Sequence, residues 1–335
     1  MAHPAPILVT GAAGFVGQAV ASRLLARGEQ VIGLDNFNAY YDVALKEARV
    51  AQVAADPRFT MVRGDVADAG LVAGLVAEHG IRRIAHLAAQ AGVRYSIDHP
   101  LTYGHANLQG HLSVLEAARH APGGCAHLVY ASSSSVYGDR PLTGQGFRED
   151  DPCVAPVSLY AATKRSCELM SQSYATLYGL PQSGLRFFTV YGPWGRPDMA
   201  YFGFTRKILA GETIDVFGEG RMARDFTFID DIVDGVVGVL DRPPQAGGHR
   251  LLNIGDNQPV GLMEMIAALE AELGVRAARR MLPMQPGDVT ATFADISAIQ
   301  QLTGYRPQVR LAEGLKRFVL WYRDYHGIAA PAAVA

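Results

Sequence analysis

A short apolar strand followed at once by three evenly spaced glycines is the feature that most constrains this chain. Residues Ile7–Thr10 form the predicted strand, and Gly11, Gly14 and Gly17 overlap the start of a helical pattern. Glycines let the backbone turn tightly, approach a pyrophosphate and pack helix against strand. The helix N-terminus then faces the phosphates. A glycine trio alone could be only a turn, so the prediction of a dinucleotide site depends on the next strand as well.

A second predicted strand ends in a carboxylate. Gln30–Leu34 form this strand after the helix, and Asp35 stands at its end. An acid at about this distance beyond the glycines, roughly 20 residues, accepts hydrogen bonds from the adenosine ribose. The same carboxylate would repel a 2′-phosphate, so we expect the cofactor to be NAD and not NADP.

Further strand-like runs alternate with helical segments along the chain. They are Phe59–Val62, Ile84–Leu87, Leu128–Ala131, Gly184–Phe188 and Leu251–Ile254. This alternation predicts an α/β fold with a doubly wound, parallel, Rossmann-type sheet and a smaller C-terminal substrate lobe. Ligand sites in such sheets lie at the carboxyl ends of the strands.

The domain boundaries are expected where Gly and Pro become frequent, in the C-terminal part of the chain. We expect residues 1–186 to form the NAD-binding domain, with returning segments near 226–258. Residues 187–225 and 259–328 would form the substrate lobe, and 329–335 a flexible tail.

Composition and charge limit the classes of function. The 335 residues carry a net charge of −2 without a concentrated basic run, which favours a small-molecule substrate over a nucleic acid. We see neither a signal peptide nor a stretch that could cross a bilayer. Three cysteines without a Cys-x-x-Cys pair fit a reducing cytoplasm, and the histidine spacing gives no reason to expect a metal.

Tyr160 and Lys164 predict a proton-transfer site. Four residues apart on a helix, they project from one face, where the cation can stabilise the phenolate. The hydroxyl run 132–135 precedes them. An isolated Tyr-x-x-x-Lys would more often be an exposed helix surface, but the dinucleotide pattern at the start of the chain favours a general base.

These motifs together resemble the extended short-chain dehydrogenase/reductase family, and within it the nucleotide-sugar epimerases, over essentially the whole chain. More specifically, four segments resemble UDP-glucuronate 4-epimerases, which interconvert UDP-glucuronate and UDP-galacturonate. These segments are LDNFNAYYDVALKEAR, AGVRYSI, RFFTVYGPWGRPDMA and GDVTATFAD. The resemblance implies a 4-keto intermediate formed by reversible hydride transfer to NAD that stays bound between turnovers.

The resemblance also implies roles for individual residues. Tyr160 would be the base, Lys164 its electrostatic partner and a ribose ligand, and Ser133 a member of the proton relay. The further expected cofactor contacts are Gly11, Gly14, Phe15, Val16, Gly17, Asp35, Asn36, Asp65, Val66, Leu87, Ala88, Ala89 and Asn107. The alternative for Asn107 is a buried, satisfied amide. The expected substrate contacts are Arg94, Ser133, Ser134, Ser135, Thr189, Arg196, Arg224 and Asp288.

Ser134 and Ser135 set the chain apart from two related activities. UDP-glucuronate decarboxylases usually carry Glu at the position of Ser135, and 4,6-dehydratases usually carry Asp-Glu at both positions. Hydroxyls cannot replace a carboxylate base, but they can hold the plane of a substrate carboxylate. We therefore expect these serines, with Thr189 and Arg196, to restrain a uronate from decarboxylating.

Alternative functions remain open from sequence. A 4-epimerase of neutral UDP-sugars is the nearest, a UDP-glucuronate decarboxylase is less favoured, and a non-catalytic NAD sensor could dispense with Tyr160, Lys164 and Ser133. The helices near Ser158 and over 107–119 carry apolar residues on more than one face. Because family members commonly dimerise through these helices, we expect a homodimer.

Overall fold

A computed structural model of the protein describes residues 5–141, 144–245 and 247–329. Of the expected flexible tail, only Ala329 lies within these ranges. The strands are β1 (Ile7–Thr10), β2 (Val31–Asp35), β3 (Phe59–Arg63), β4 (Arg83–His86), β5 (His127–Ser133), β6 (Gln182–Phe187), β7 (Thr189–Tyr191), β8 (Ile214–Val216), β9 (Ala223–Phe228), β10 (His249–Ile254), β11 (Pro259–Gly261) and β12 (Arg279–Met281).

Helices follow most of these strands. They are α1 (Phe15–Ala26), α2 (Val43–Ala51), α3 (Ala69–Glu78), α4 (Tyr95–Asp98), α5 (Pro100–Tyr103), α6 (Gly110–Arg119), α7 (Leu159–Tyr178), α8 (Ala200–Leu209), α9 (Ile229–Leu240), α10 (Leu262–Leu273), α11 (Ser297–Thr303) and α12 (Leu311–Tyr325). A π-helical turn, Gly104–Gln109, joins α5 to α6, and short 3₁₀ turns occupy Ser134–Tyr137 and Phe217–Gly220.

Seven parallel strands form the central sheet in the order β10-β6-β5-β4-β1-β2-β3. The chain order reverses between β1 and β4, which is where doubly wound sheets bind their ligands. The prediction of a parallel, Rossmann-type sheet is confirmed. The predicted strands match observed ones within one or two residues at each end.

The central strand β1 shows why both faces of the sheet are covered. All four of its residues are buried, and alternate side chains point to opposite faces. Ile7 and Val9 belong to a core shared with α1 and α9, whereas Leu8 belongs to a second core with α3 and α6. The run Ile-Leu-Val therefore supplies apolar side chains to two layers at once.

Two small sheets lie outside the central one. One has the order β11-β9-β7, and the other pairs β8 with β12. Asp225 of β9 is buried and accepts backbone hydrogen bonds from Asp256, Asn257 and Ala294 at 2.7–3.1 Å. One carboxylate thus ties β9 to the loop after β10 and to the segment before α11.

Membrane-spanning helices and metal-binding clusters are both absent from the described part of the chain. Among residues 5–141, 144–245 and 247–329, no helix is both long and apolar enough to cross a membrane. Within the same ranges, no group of three His, Cys, Asp or Glu side chains is arranged to hold a metal ion.

Candidate active site

A cavity of about 580 Å³ opens at the carboxyl ends of the central strands. It is lined by all of the residues expected to bind cofactor or substrate, except Asn107. They are Gly11, Gly14, Phe15, Val16, Gly17, Asp35, Asn36, Asp65, Val66, Leu87, Ala88, Ala89, Arg94, Ser133, Ser134, Ser135, Tyr160, Lys164, Thr189, Arg196, Arg224 and Asp288. Folding therefore brings together residues that are far apart in the sequence.

The glycine loop is shaped as a cradle that a side chain would fill. Gly11 has φ of +73°, and a Cβ atom there would lie 2.8 Å from the backbone nitrogen of Ala88. A Cβ atom on Gly17 would collide with the carbonyl oxygen of Gly11. Helix α1 begins directly after Gly14, so its free N–H groups face the cavity. This arrangement fits the diphosphate of a dinucleotide.

Two carboxylates stand beside the cradle. Asp35 is buried and accepts hydrogen bonds from the backbone nitrogens of Ala13 (3.1 Å) and Phe37 (2.8 Å), so it also fixes the glycine loop. Asp65 accepts from the backbone of Ala67 and from the Asn36 side chain. Burial acts against the charge of Asp65, but these hydrogen bonds hold its pKa below the usual range. Both carboxylates line the cavity, where Asp35 is placed to accept hydrogen bonds from ribose hydroxyls and Asp65 lies just beyond the end of the next strand.

Tyr160 and Lys164 lie one turn apart on α7, as predicted from their spacing. Ser158 caps this helix by accepting a hydrogen bond from the Ala161 nitrogen at 3.1 Å. Lys164 is 4% exposed, and its Nζ donates to the carbonyl oxygen of Ala131 at 2.8 Å. Because this partner is neutral, the positive charge remains able to stabilise a phenolate.

The serine run turns sharply from β5 into the cavity. The Ser133 hydroxyl donates to Oγ of Ser135 at 3.1 Å and accepts from the Ser135 backbone nitrogen at 3.2 Å. Its orientation is thereby fixed. Ser132 instead donates to Oε1 of the buried Glu168 at 2.6 Å, and Glu168 forms a two-point ion pair with Arg186.

Asn107 lies behind the cavity wall. Its Nδ2 donates to the Gln90 carbonyl oxygen (3.1 Å) and to Oγ1 of Thr163 (3.0 Å), and its Oδ1 accepts from the Gln90 nitrogen (2.8 Å). Thr163 in turn donates to the carbonyl oxygen of Tyr160. Both amide hydrogens are used internally, so the geometry is that of the buried, satisfied amide and not of a direct cofactor contact.

Arg196 is held by an acidic neighbour inside the cavity. Its Nε and Nη2 donate to the carboxylate of Asp198 at 3.0 and 2.6 Å, and Tyr40 donates to the same carboxylate at 3.0 Å. Burial opposes the charge of Arg196, but Asp198 outweighs it and raises the arginine's pKa. One edge of the guanidinium is therefore already occupied, and Nη1 remains for a substrate.

Two more cations, Arg224 and Arg94, line the cavity. Arg224 donates from Nη2 to the carbonyl oxygen of Val289 at 2.7 Å, and burial lowers its pKa. Arg94 is exposed and lies 3.8 Å from Asp288. Thr189 begins β7 at the cavity wall. These positive groups and the exposed rim are suited to a nucleoside diphosphate.

Sequence reasoning missed several residues that shape the site. Tyr40 binds the carboxylate that holds Arg196, Glu168 holds the serine strand, and Arg49 donates to the carbonyl oxygen of Ala13 in the glycine loop. One signal was present for Glu168, because it continues the four-residue spacing of Tyr160 and Lys164 on the same helical face. The contacts of Arg49 with residues 145 positions away left no local signal.

Comparisons with known proteins agree with this geometry. The model of the NAD dependent epimerase/dehydratase family matches residues 7–255. UDP-glucuronate 4-epimerase 3 of Arabidopsis thaliana is 46% identical over 98% of this chain and 78% of its own. The probable UDP-glucuronate 4-epimerase of Rhizobium meliloti (strain 1021) is 46% identical over 94% of this chain and 96% of its own.

A solved structure agrees over the same length. UDP-glucuronic acid 4-epimerase from Bacillus cereus, crystallised with UDP-glucuronic acid and NAD, is 33% identical and superposes with a TM-score of 0.89. The alignment covers 96% of this chain and 99% of that one. With the family model matching most of its length, this chain belongs to the NAD dependent epimerase/dehydratase family.

Proposed function

We propose that this protein is a UDP-glucuronate 4-epimerase that interconverts UDP-glucuronate and UDP-galacturonate with NAD as its cofactor. The observation that carries the proposal is a single cavity lined by the glycine loop, by Tyr160 and Lys164, and by a serine run without an acid. Relatives bearing this activity in their names match nearly the whole chain at 46% identity. The likeness therefore extends beyond the cofactor-binding half.

Tyr160 acts as the base in this proposal. It takes the proton from the O4 hydroxyl and later returns it, while the buried Lys164 stabilises the phenolate and Ser133 shares the proton. NAD held by the glycine loop and Asp35 would supply a reversible hydride acceptor for C4. The C4 ketone formed between the two transfers presents its other face before it is reduced, so the configuration inverts without net oxidation.

The serine run restrains the substrate carboxylate. Once C4 is a ketone, the sugar is a β-keto acid, which loses carbon dioxide when the breaking bond aligns with the carbonyl π system. Ser134, Ser135 and Thr189 offer hydroxyls at the cavity wall, and the free edge of Arg196 offers a cation. Together they hold the carboxylate plane away from that alignment.

A 4-epimerase of neutral UDP-sugars is the second candidate, since the same base and cofactor would serve it. Substitution of Arg196 distinguishes the uronate activity from the neutral-sugar activity. For a uronate, Arg196→Ala should cost about 2–3 kcal/mol of transition-state binding, roughly 30- to 150-fold in kcat/KM. For UDP-glucose the loss should be under about threefold. A large loss on UDP-glucose would favour the neutral-sugar activity.

The direct test is proton NMR of purified protein mixed with UDP-glucuronate and no added nicotinamide. The anomeric signal of UDP-galacturonate should appear, which would establish both the reaction and a retained cofactor. Mainly UDP-xylose would mean that the serine run does not prevent decarboxylation and that the proposal is wrong. Added NAD serves as the control for cofactor lost during purification.

We also propose a cytoplasmic homodimer with two lobes. The support for the location is the cysteine chemistry, because Cys125, Cys153 and Cys167 are all free thiols.

The support for the dimer is a row of exposed leucines on neighbouring helices. They are Leu101 on α5, Leu112 on α6, and Leu169 and Leu177 on α7. The lobes are residues 1–186 with returning segments near 226–258, and residues 187–225 with 259–328.

A further inference from the structure

Arg49 is a fully buried arginine whose hydrogen-bond partners are all neutral. Its Nη1 lies 3.2 Å from the carbonyl oxygen of Ala13 and 2.6 Å from the Tyr41 hydroxyl. Its Nε and Nη2 donate to the carbonyl oxygen of Trp194, and Nη2 also donates to that of Gly195, at 2.7–2.9 Å. All five N–H groups are used, and none is directed at a carboxylate.

Apart from Tyr41, which precedes α2, these partners belong to the two loops that the proposed reaction must bring together. Ala13 lies in the glycine loop, between Gly11 and the start of α1. Trp194 and Gly195 directly precede Arg196, whose guanidinium lines the substrate end of the cavity. One planar guanidinium therefore spans from the dinucleotide cradle to the substrate loop.

The substrate loop is held in a conformation that it would not readily adopt alone. Trp194 has φ of +63°, in the left-handed region that non-glycine residues seldom occupy. Gly195 packs so closely on the Tyr201 hydroxyl that a Cβ atom would collide with it. Such strain persists only where surrounding contacts impose it. Three hydrogen bonds from Arg49 are among those contacts, together with the packing of the Trp194 ring on Trp321 and Tyr325.

We propose that Arg49 is a positioning residue that couples dinucleotide binding to the placement of the substrate loop. A buried cation without an anionic partner is costly, and an anion nearby lowers that cost. Glycine loops place a dinucleotide diphosphate at the helix N-terminus next to Ala13. Bound dinucleotide therefore stabilises the charge of Arg49. Because the guanidinium of Arg49 is hydrogen-bonded to Trp194 and Gly195, the same effect stabilises the loop that carries Arg196. The identity of both ligands rests on the proposed function.

Two variants, each prepared as purified holoenzyme, separate the effect of the positive charge at position 49 from the effect of the guanidinium hydrogen bonds to both loops. Arg49→Met removes both, and NAD retained per folded protein should fall roughly tenfold. Arg49→Lys keeps the charge but cannot span both loops, so it should retain NAD yet bind UDP roughly tenfold more weakly by calorimetry. Arg58→Lys, on the surface and paired with Asp56, is the matched control and should change neither quantity.

Intrinsic fluorescence reports on the loop directly. The chain has two tryptophans, and the rings of Trp194 and Trp321 lie 5.2 Å apart. Arg49→Lys should shift the emission maximum, whereas Arg58→Lys should not. A purely structural role for Arg49 would lower the melting temperature and leave UDP affinity and emission per folded protein unchanged, which would overturn the proposal.

A measurement on the wild-type protein tests the same coupling without depending on whether the variants fold. Amide hydrogen exchange in residues 192–199 should be roughly tenfold slower with NAD bound than after NAD is stripped. Exchange that is indifferent to NAD would contradict the coupling. None of these measurements requires sugar turnover, so a wild type that fails to epimerise UDP-glucuronate would refute the proposed function and leave this inference standing.

Discussion

Ser132 donates a 2.6 Å hydrogen bond to Oε1 of Glu168, and this bond joins the strand of the serine run to the helix that carries Tyr160. Glu168 is 1% exposed and is also bound by Arg186, which is equally buried. Burial acts against the charge of Glu168, but its hydrogen bonds hold its pKa below the usual range. The two elements that must meet for catalysis are thus locked by a charged contact behind the cavity.

Glu168→Gln should therefore destabilise the protein strongly. The substitution keeps the shape but leaves Arg186 as a buried cation without its carboxylate partner, which costs about 3–5 kcal/mol. Urea unfolding measures the loss of unfolding free energy. Glu78→Gln, at an exposed position on α3, is the control and should lie within about 0.5 kcal/mol of wild type. Equal stabilities for the two variants would contradict this reading of the ion pair.

Tyr160→Phe should remove turnover while leaving binding intact. The phenol is the proposed proton acceptor, and general acid–base catalysis contributes about 10²- to 10⁴-fold. We expect kcat to fall by about 10²- to 10⁴-fold or more. The NAD content and the affinity for UDP should stay within about twofold of wild type. Tyr178→Phe, on the exposed end of the same helix, is the matched control. Unaltered turnover in Tyr160→Phe would refute the mechanism.

Asp256→Asn should change how stability depends on pH. Burial raises the pKa of Asp256 to about 7, and Asp225 beside it adds to the effect. In the unfolded chain the pKa of an aspartate side chain is about 4. The folded state therefore binds more protons between these values, and the free energy of unfolding falls as pH rises through that window.

The variant lacks this titration. Relative to wild type it should gain about 1–2 kcal/mol between pH 5 and pH 8, after allowance for solvent screening. Urea unfolding at the two pH values checks the sign. Asp324→Asn, at an exposed site, should show no such gain. A variant that loses stability relative to wild type as pH rises would contradict the assignment.

Charged residues on the leucine row should separate the proposed dimer. Leu112→Glu combined with Leu169→Glu would bury two carboxylates at the interface and should yield a monomeric mass by sedimentation. Leu320→Glu alters a leucine of similar exposure on α12, away from the row, and should remain dimeric. A wild type that is already monomeric at working concentration would remove the dimer altogether.

Local patterns were enough to predict the central sheet and the glycine loop. The apolar runs, the glycine spacing and Asp35 depend on neighbours in sequence, so their strands, turn and helix follow from local chemistry. The pairing of Tyr160 with Lys164 on one helical face is equally local.

Contacts between distant segments could not be predicted in this way. Asn107 was assigned to the cofactor, yet its amide binds Gln90 and Thr163, which only folding brings near. The ion pair of Arg196 with Asp198 is close in sequence, but its consequence for the free edge of the guanidinium depends on Tyr40, 158 residues away. Side-chain partners across loops are set by tertiary structure, which periodicity does not report.

Strand β10 has a consequence for how the protein forms during synthesis. It is the last strand to join the central sheet, and it pairs along the whole of β6 although more than sixty residues separate the two. Until a ribosome has released His249–Ile254, the edge of β6 carries unpaired amides and carbonyls. A fragment ending near residue 186 would display that open edge and be prone to self-association, so the central sheet is completed only after the chain has been translated beyond Ile254.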